Sequence, residues 1–422
     1  MGTVNPLAHN VEDTWRAMLE GRSAVRRTVL FDASTFPSTF SAQVTDFDLA
    51  RHLKGAERHK HVGRHGRFAL AAAQEAWEQS GLGGAANLDR TRLGIYLGSG
   101  EGSLDFDVFN SVLVDSLRNA QVDTRAWADL AFRRMDLYRE TEQESNMVLS
   151  HLAGEFGAMG PGYNVLTACA ASTQAIGEAA LQIREGDVDA VLTGGAHSMI
   201  HPYGVTGFNR LTALSVRNDE FETACRPFDA TRDGFVLGEG SSILVLEDHD
   251  FARARGATVL AEVLGYGASA DAFRITDQDP DGDGAAASMR AALADAGLGP
   301  RDIDYISAHG TGTKQNDSVE TRGVKAVFGG GAGLEPVPPM SSVKSMVGHL
   351  IAAAGATELI TCVLAIRDQV LPPTINYKVP DPDCDLDYIP NQARRAKVEI
   401  CMSNSFGFGG QNNTLIISGP RE

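Results

Sequence analysis

Short apolar runs alternate along the chain with longer segments in which Ala and Leu recur at helical spacing. Six runs predict buried strands: RLGIYLGSG (92–100), YNVLTAC (163–169), AVLTGGA (190–196), SSILVLED (241–248), DYISAHG (304–310) and TLIISG (414–419). Helical patterns cover 66–80, 171–185, 285–297 and 349–367. Near-continuous apolar strands that alternate with helices are typical of helical layers around parallel or mixed sheets. The pattern therefore predicts an α/β fold.

Several boundaries follow from the same pattern. The helical segment VEDTWRAMLEG ends at Gly21, and RFALAAAQEAWEQSGL is broken at Gly81. Residues 101–146 are more polar and weakly patterned, which indicates an excursion that caps one face. No Pro- or Ser-rich linker divides the chain, so we expect two halves that share one core, 1–252 and 253–422.

Composition and charge exclude several classes of protein. The 422 residues carry 37 Lys and Arg against 54 Asp and Glu, a formal net charge of −17 that argues against a nucleic-acid binder. No apolar stretch approaches the ~20 residues of a membrane span, and the start lacks a signal-peptide pattern. The five Cys are too scattered for a metal site and too few for a disulfide framework. We therefore expect a reduced, cytoplasmic protein.

Cys169 follows a predicted strand at the start of an Ala-rich helix, in VLTACAASTQAIGEAALQIREG (165–186). A helix N-terminus favours the thiolate, which is the reactive form of cysteine. Small neighbours leave room for a bulky substrate: Ala168, Ala170, Ala171 and Ser172. From this segment alone, a cysteine packed as a small buried hydrophobe is an equally good interpretation.

His309 is delivered by another predicted strand into a loop of Gly and Thr, in ISAHGTGTKQNDSVET (306–321). The glycines let the backbone approach a ligand, and the Thr hydroxyls can bond amides or carbonyls. Asp317 and Glu320 stand at the start of the helix expected to follow, where carboxylates suit the helix dipole. A purely structural histidine is the alternative, but this interpretation does not explain the GTGT sequence that follows.

Lys344 and His349 stand five residues apart in SSVKSMVGHLIAAAGATE (341–358), before an Ala-rich helix. Polar groups that enter a buried helix need partners, and Glu358 or Glu320 could pair with Lys344. A surface lysine and a helix-capping histidine are the alternative interpretation.

A Gly-rich segment, CMSNSFGFGGQNNTLIISG (401–419), is predicted to form a loop before the last strand. Phe406 and Phe408 interrupt its glycines. A structural turn explains the glycines but not the two aromatic rings, which favour an active-site wall.

These segments together resemble the elongating β-ketoacyl-acyl carrier protein (ACP) synthases of the thiolase superfamily, close to the type II polyketide ketosynthases. The shared motifs are TACAAS around Cys169, RPFDATRDGFVLGEG (226–240), HGTGT (309–313), SVKSMVGHL (342–350) and NSFGFGGQN (404–412). They follow the family's order over essentially the whole chain. Within the superfamily, initiating synthases are expected to have Asn where His349 stands, and thiolases a second catalytic Cys in a Cys-x-Gly motif.

The resemblance implies a thiolase fold, a duplicated α-β-α-β-α layered core with two mixed five-stranded sheets. It also implies a ping-pong reaction in which the Cys169 thiolate takes an acyl group from the phosphopantetheine arm of ACP. Malonyl-ACP then loses carbon dioxide and attacks the acyl-enzyme, which gives 3-oxoacyl-ACP. The enzyme is expected to need no cofactor of its own and no metal.

The resemblance also assigns catalytic roles by position. His309 and His349 are expected to bind the malonyl thioester carbonyl and to stabilise the enolate. Lys344 is expected to pair with Glu320 and to hold the local charge and geometry. Asp317 is expected to belong to the same network.

Three further roles concern how the substrate is held. The backbone N–H groups of Cys169 and Phe406 are expected to form the oxyanion hole, with Phe406 as the gate beside the nucleophile. Thr311 and Thr313 match the positions that are expected to bind the pantetheine amides.

ACP is the predicted partner, and because both proteins are acidic, docking needs a local basic patch. Arg58, Lys60 and Arg64 lie where the family places such a patch, and Arg217 matches another expected contact. An ordinary solvated basic face is the alternative. The His spacing in ERHKHVGRHGR (57–67) could fit a weak metal site, but we expect a basic, partly solvated helix start.

The start of the chain departs from the family pattern. MGTVNPLAHN (1–10) matches a turn that a hydrophobic strand precedes in the family, so the first strand is expected to be missing. Its absence would leave a sheet edge unpaired. Either the natural start lies upstream or another segment fills the place.

Three alternatives stay open beside the condensing homodimer. The chain could be the α-subunit of a type II polyketide ketosynthase, paired with a chain-length-factor-like subunit, and KQND (314–317) leans that way. It could transfer acyl groups without condensation, or be a binding module without catalysis. The acyl length and the pathway, fatty acid or polyketide, depend on tunnel walls that the motifs do not include.

Overall fold

The structure is a computed structural model that describes residues 1–329 and 337–421. Up to Ala254 the strands are β1 (Gly2–Val4), β2 (Arg26–Arg27), β3 (Phe40–Ser41), β4 (Leu93–Ser99), β5 (Leu117–Arg118), β6 (Gln121–Val122), β7 (Gly162–Val165), β8 (Ala190–His197) and β9 (Gly240–Glu247). The helices of this stretch are α1 (Val11–Leu19), α2 (Arg64–Ser80), α3 (Phe106–Asp115), α4 (Thr124–Arg134), α5 (Leu137–Thr141), α6 (Met147–Phe156), α7 (Ala171–Arg184), α8 (Pro202–Arg210) and α9 (His249–Ala254).

The remaining elements follow from Glu262 onwards. The strands are β10 (Glu262–Ala270), β11 (Tyr305–Ser307), β12 (Met340–Ser341), β13 (Val370–Leu371), β14 (Arg394–Arg395), β15 (Ile400–Gly407) and β16 (Gln411–Ser418). The helices are α10 (Asp283–Ala296), α11 (Lys314–Phe328), α12 (Lys344–Val347) and α13 (Ala354–Asp368).

Two mixed five-stranded sheets form the centre of the structure. The first has the order β1-β9-β8-β4-β7, in which β4 runs parallel to β7 and β8, and β9 antiparallel to β8 and β1. The second has the order β10-β16-β15-β11-β12, in which β11 runs parallel to β15 and β12, and β16 antiparallel to β15 and β10. The repeated pattern confirms the predicted α/β fold with two mixed five-stranded sheets. The boundary at residue 252 stays a prediction.

Helices cover both faces of each sheet. Helix α7 packs on β4 and β8, and α13 packs on β9, β15 and α7, so these two helices lie between the sheets. Every residue of α13 from Ala354 to Ile366 is buried, as expected for a helix that is apolar all round. Helix α2 packs on β9 and β1, and α10 on β10 and β16. The result is the predicted α-β-α-β-α layering.

The first strand, which the sequence was expected to lack, is present in short form, and that expectation is wrong. Gly2–Val4 pairs antiparallel with Ser241–Ile243, and Thr3 Oγ1 donates to the Ser241 carbonyl at 3.1 Å. Glycine is needed at position 2, because a Cβ there would lie 2.1 Å from the carbonyl oxygen of Ala72 in α2. Three residues are too few to show a strand period in the sequence, yet they suffice to form this sheet edge.

Two other segments differ from the predicted pattern. The helix expected at 349–367 begins only at Ala354, because Gly348 (φ 71°) and Ile351 (φ 46°) interrupt the backbone before it. The start of 401–419 is strand β15, and the turn is confined to residues 408–410, where two glycines have positive φ. All five Cys are buried and free. Within residues 1–329 and 337–421, no helix is long and apolar enough to cross a membrane.

Residues 101–146, called the cap below, form α3, the β5–β6 hairpin, α4 and α5. Few side chains of its helices are buried: Val112 in α3 and Ala131 in α4. By contrast, Phe132 is 92% exposed. The cap therefore contributes little to the core, as its weak pattern indicated.

Candidate active site

Cys169 stands on a sharp turn between β7 and α7. Ala168, the residue before it, has φ 48°, a backbone conformation that residues other than glycine rarely adopt. Residues Ala168–Ala170 form a 3₁₀ turn, and α7 begins immediately afterwards at Ala171. This turn holds Cys169, 6% exposed, at the N-terminal end of a buried helix. The sequence predicted this placement.

Two glycines on the neighbouring strands let the start of α7 come this close. A Cβ at Gly98 in β4 would lie 2.4 Å from the backbone nitrogen of Ser172, and one at Gly195 in β8 would lie 2.7 Å from the Ser172 Cβ. Distances this short are sterically excluded, so larger residues at either position would push the helix, and the sulfur with it, away from the sheet.

His309 and His349 meet the sulfur from the second half of the chain. The Cys169 sulfur and one ring nitrogen from each histidine lie within 4.8 Å of one another. The two imidazole rings are 5.4 Å apart and nearly perpendicular, at 82°. His309 is 2% and His349 1% exposed. The structure therefore brings together the three residues that the sequence predicted as a set.

Lys344 lies behind His309 and uses all three of its N–H donors there. Its Nζ donates to the His309 carbonyl oxygen at 2.6 Å and to the His309 Nδ1 at 3.3 Å, and it forms an ion pair with Glu358 Oε1. The side chains of Lys344 and Glu358 are each 1% exposed. Glu358 was one of two candidate partners, and the expected pairing of Lys344 with Glu320 is wrong.

The lysine fixes the protonation of His309. Burial, the Lys344 charge and the neighbouring His349 hold the pKa of His309 well below its ordinary value, so the ring is neutral. Since Lys344 donates to Nδ1, that nitrogen carries the lone pair, and the ring proton is on Nε2. His309 therefore offers an N–H donor on the side away from Lys344.

His349 has the same tautomer for a different reason. Its Nδ1 accepts the backbone N–H of Ile351 at 3.2 Å, so its proton is also on Nε2. Burial, Lys344 and His197 hold the pKa of His349 well below its ordinary value. The Nε2 atom is buried and has no hydrogen-bond partner among the described residues. An unused buried donor beside a nucleophile is a suitable ligand for a substrate carbonyl.

The electrostatic surroundings of the thiol keep it protonated at rest. Burial raises the pKa of Cys169 to about 12, although the Lys344 charge and the backbone N–H groups of Phe408 and Cys169 itself oppose the shift. These two N–H groups lie at the sulfur, so the expected oxyanion donor Phe406 is corrected to Phe408. Phe406 lies within β15, 2% exposed, and its ring is 5.7 Å from the ring of His309. The turn that follows brings Phe408 to the sulfur.

Glu320 supports the turn that carries His309. Its two carboxylate oxygens accept the backbone N–H groups of His309 at 2.8 Å and Gly310 at 2.7 Å. Burial raises the pKa of Glu320 to about 7, although these two N–H groups oppose the shift. Glu320 therefore orients the backbone of the His309 turn and does not serve as the counter-charge of Lys344.

Asp317 lies beside it in a second buried network. Its carboxylate accepts the backbone N–H groups of Phe228 at 2.7 Å and Gly312 at 3.2 Å, and it lies 3.3 Å from Arg232 Nε. Burial raises the pKa of Asp317, and Arg232 opposes the shift. Asp317 thus joins the HGTGT loop to the segment around residue 228.

A cavity of about 530 Å³ opens onto the nucleophile. Its lining includes Cys169, His309, His349, Thr311, Thr313, Asp233, Lys314, Phe406 and Phe408. Thr311 and Thr313 are 2.9 Å apart through their Oγ1 atoms. Thr313 also caps α11 by accepting the Asn316 N–H at 3.2 Å, and Thr311 Oγ1 accepts the Thr313 N–H at 3.3 Å, so each hydroxyl has one backbone partner.

The four predicted docking residues do not form one patch at this cavity. Arg64 is bound to the fully buried Glu239, and Arg58 donates to Glu155 at 2.9 Å. Neither these two nor Lys60 line the cavity. Arg217 is closer to its mouth: its Nη2 donates to the Thr231 carbonyl at 2.7 Å, and it lies 4.0 Å from Asp233, a lining residue.

The three converging atoms of Cys169, His309 and His349 are also a donor set that Zn²⁺ uses. Tetrahedral coordination with bonds of about 2.0–2.3 Å needs donor atoms roughly 3.3–3.8 Å apart. Their spread of up to 4.8 Å therefore requires the side chains to move inward before they bind an ion. The absence of a resident metal stays a prediction.

Comparison with known proteins extends over the whole chain. The N-terminal domain of β-ketoacyl synthases matches residues 1–252, and the C-terminal domain matches residues 260–378. The 3-oxoacyl-[acyl-carrier-protein] synthase 2 of Coxiella burnetii is 41% identical over 420 residues, which cover 99% of this chain and 97% of that protein. The enzyme of the same name from Vibrio harveyi is 38% identical over 416 residues, with coverage of 99% and 96%.

Solved structures are similar over the same length. A β-ketoacyl synthase from Burkholderia phymatum STM815 has a TM-score of 0.88 at 32% identity, with 100% of this chain and 98% of that chain covered. The ishigamide ketosynthase/chain length factor has a TM-score of 0.85 at 35% identity, with the same coverage. AntDE:AntF, a type II polyketide acyl-carrier protein in complex with its ketosynthase, has a TM-score of 0.85 at 31% identity, again with 100% and 98% covered.

Proposed function

The chain belongs to the β-ketoacyl synthase family, and from this premise we propose that it condenses an acyl group held on Cys169 with malonyl-ACP. The products are 3-oxoacyl-ACP and carbon dioxide. The observation that carries the proposal is the convergence of one thiol and two neutral imidazoles within 4.8 Å at the end of a cavity.

Acyl loading is the first half-reaction. The Cys169 sulfur attacks the thioester carbonyl of acyl-ACP, a new C–S bond forms, and the bond to the pantetheine sulfur breaks. The proton lost by the Cys169 thiol ends on the pantetheine thiol. The backbone N–H groups of Cys169 and Phe408 stabilise the negative charge that develops on the carbonyl oxygen.

Decarboxylation of the malonyl group begins the second half-reaction. The C–C bond between the malonyl α-carbon and the carboxylate breaks, and carbon dioxide leaves. The electron pair of this bond stays on the α-carbon side and forms an enolate. The Nε2–H groups of His309 and His349 bind the thioester oxygen on which the enolate charge develops. Lys344 and Glu358 do not bind the substrate themselves; they act through His309, which they hold in the tautomer that has this donor.

Condensation closes the cycle. The enolate carbon attacks the acyl carbonyl on Cys169, a C–C bond forms, and the C–S bond to Cys169 breaks. The sulfur leaves as a thiolate and regains a proton from solvent. No redox step occurs, so the reaction requires no cofactor besides the phosphopantetheine of the carrier. The expected cytoplasmic location stays a prediction.

The substrate arm and its carrier fit the mouth of the cavity. Thr311 and Thr313 line it, and their hydroxyls suit the amide groups of pantetheine. Among the basic residues, Lys314 lines the mouth and Arg217 lies beside it, so these two are better placed for an acidic carrier than Arg64. In AntDE:AntF, the similar ketosynthase is in complex with its acyl-carrier protein.

A second candidate is the ketosynthase subunit of a polyketide pair. The ishigamide protein pairs a ketosynthase with a chain length factor, and it is 35% identical to this chain. The curated relatives, at 37–41% identity, are named 3-oxoacyl-ACP synthase 2, which favours fatty-acid elongation. Activity of the purified chain alone would favour the condensing homodimer, whereas dependence on a second homologous subunit would favour the pair.

The experiment that tests the proposed function offers acyl-ACPs of graded chain length together with malonyl-ACP. We expect carbon dioxide release and a 3-oxoacyl-ACP whose mass identifies the preferred acyl group. Acyl transfer without carbon dioxide release would instead indicate a non-condensing acyltransferase. Absence of both reactions, and of Cys169 alkylation by iodoacetamide, would indicate a binding module.

A further inference from the structure

A row of four ionisable side chains joins the cap to the body of the protein, outside the cavity that contains Cys169. His151 Nε2 lies 2.7 Å from Glu142 Oε1, and His59 Nδ1 lies 2.9 Å from His151 Nδ1. His59 Nε2 lies 2.9 Å from Glu155 Oε2. We call Glu142, His151, His59 and Glu155 the acid–imidazole cluster.

The cluster is largely shielded from water, and three segments contribute to it. Its side chains are 6–17% exposed. Glu142 immediately follows α5, the last helix of the cap; His151 and Glu155 lie one turn apart on α6, and His59 ends the 3₁₀ turn Ala56–His59. The cap therefore joins the other three members of the cluster through the contact between Glu142 and His151.

The number of protons bound by the cluster decides whether all three of its contacts can be hydrogen bonds, and we call the row complete when they are. Each of its three contacts needs one hydrogen between the two heavy atoms. Two ionised carboxylates bring none, and two neutral imidazoles bring one N–H each, so one contact lacks a donor. One further proton completes the row, whereas a second would set two N–H groups face to face between His59 and His151.

We propose that the acid–imidazole cluster is a one-proton binding site that fastens the cap to α6 when the proton is bound and loosens it when the proton leaves. Because the site is complete only in its protonated form, its contribution to cap attachment is present at low pH and is lost as the pH rises. The inference stands apart from the proposed function, since it concerns the position of the cap.

Other charged groups that face the cluster do not supply the missing proton. Arg58 Nη2 lies 2.9 Å from Glu155 Oε1 and 2.8 Å from Oε2, the oxygen that also contacts His59, but the contact between His59 and Glu155 still needs a hydrogen of its own. Burial lowers the pKa of His65 to about 4, with Glu142 opposing, so His65 is neutral. His61 lies 3.7 Å from Asp136, in a separate pair.

One short segment, residues 100–103, joins the cap to the surroundings of His349. The Glu142 carbonyl accepts the Ser103 N–H at 2.7 Å. Three residues earlier, Gly100 lies against the ring of His197, where a Cβ would come within 2.4 Å of Cε1. His197 in turn contributes to the lowered pKa of His349. Residues 100–103 thus connect the cap to the surroundings of His349.

The test is hydrogen exchange of the full chain, measured with EDTA present at several values between about pH 6 and 9. Protection factors remove the intrinsic pH dependence of exchange. In peptides that cover 101–105 and 140–147 we expect protection to fall by about tenfold or more over this range, because an incomplete buried contact is costly.

The matched variant is Glu142→Gln. The new amide N–H donates to His151, His151 then donates to His59, and His59 donates to Glu155, so the row is complete with neutral rings. Protection of the cap should then vary less than about twofold with pH. The exposed neighbour Glu144→Gln keeps the cluster intact and should show the wild-type dependence.

Three results would overturn the inference. Protection in the wild type could be independent of pH, or Glu142→Gln could retain the full dependence. Protection could also be lost at every pH with EDTA but kept in a parallel sample without it, which would indicate a metal between the rings. If Glu142→Gln fails to fold, Glu155→Gln completes the row from the other end and must give the same loss of pH dependence, although it also weakens the contact with Arg58.

Discussion

Replacing Glu358 by Gln tests how the buried ion pair serves catalysis. The substitution keeps the shape of the side chain but removes the counter-charge of Lys344. Both side chains are 1% exposed, so the ammonium loses its charge partner in a site without water access. Removing one member of a buried pair costs about 3–5 kcal/mol of unfolding free energy. We expect a loss of that size in urea denaturation.

The catalytic effect should fall on one half-reaction. Lys344 donates to the Nδ1 of His309 at 3.3 Å, and without its charge partner this geometry is no longer held. His309 can then place its proton on Nδ1 and present a lone pair to the enolate oxygen. Loss of one such donor lowers rates by about 10²–10³-fold. Malonyl decarboxylation should fall by that factor, while acylation of Cys169, measured by intact mass, should change far less.

Two further variants separate stability from catalysis. Glu247→Gln breaks a less deeply buried pair with Arg255, whose side chains are 8–10% exposed, so it should lower stability without changing decarboxylation. The double variant Lys344→Met/Glu358→Leu replaces the pair by apolar groups and should regain most of the lost stability, but not the activity. Wild-type decarboxylation in Glu358→Gln, or recovery of activity in the double variant, would refute this role of the pair.

Three other predictions concern the nucleophile, the second histidine and the carrier. His349→Ala should lower malonyl decarboxylation by about 10²–10³-fold and acyl loading by less than about tenfold, and equal losses would contradict the proposed division of roles. Since the pKa of Cys169 is raised to about 12, its alkylation by iodoacetamide should speed up about tenfold per pH unit from pH 7 to 10, and a plateau below pH 8 would contradict this pKa. Arg217→Glu should raise KM for acyl-ACP several-fold but not for a small thioester. By contrast, Arg64→Glu should mainly lower the melting temperature, because it leaves the fully buried Glu239 without its half-buried charge partner.

The hydrophobic pattern predicted an α/β fold and the element ends at which the catalytic residues stand, whereas the layered arrangement and the catalytic set followed from the resemblance to a known family. Cys169 and His309 follow apolar strands, and His349 precedes a helix that is buried all round. The charge partner of Lys344 was assigned wrongly. Glu320 and Glu358 both lie on helices that follow a catalytic histidine, and only the packing of the two halves selects Glu358 for Lys344.

Backbone geometry and long-range contacts limited the rest of the prediction. Phe406 and Phe408 are two residues apart, and the turn after β15, which brings the Phe408 amide to the sulfur, has no signal beyond its glycines. The acid–imidazole cluster joins His59 to His151, 92 residues later, without a local motif. Its one visible sign was the His spacing in 57–67, which also fitted a metal site.

The central claim is that Cys169 carries the acyl group that malonyl-ACP then attacks. The most direct test incubates the chain with acyl-ACP and measures the intact mass before and after malonyl-ACP is added. We expect one acyl adduct on the peptide that contains Cys169, discharged by malonyl-ACP as 3-oxoacyl-ACP, and no adduct in a folded Cys169→Ala variant. An acyl adduct on that variant, or a wild-type adduct that malonyl-ACP leaves in place, would contradict the account.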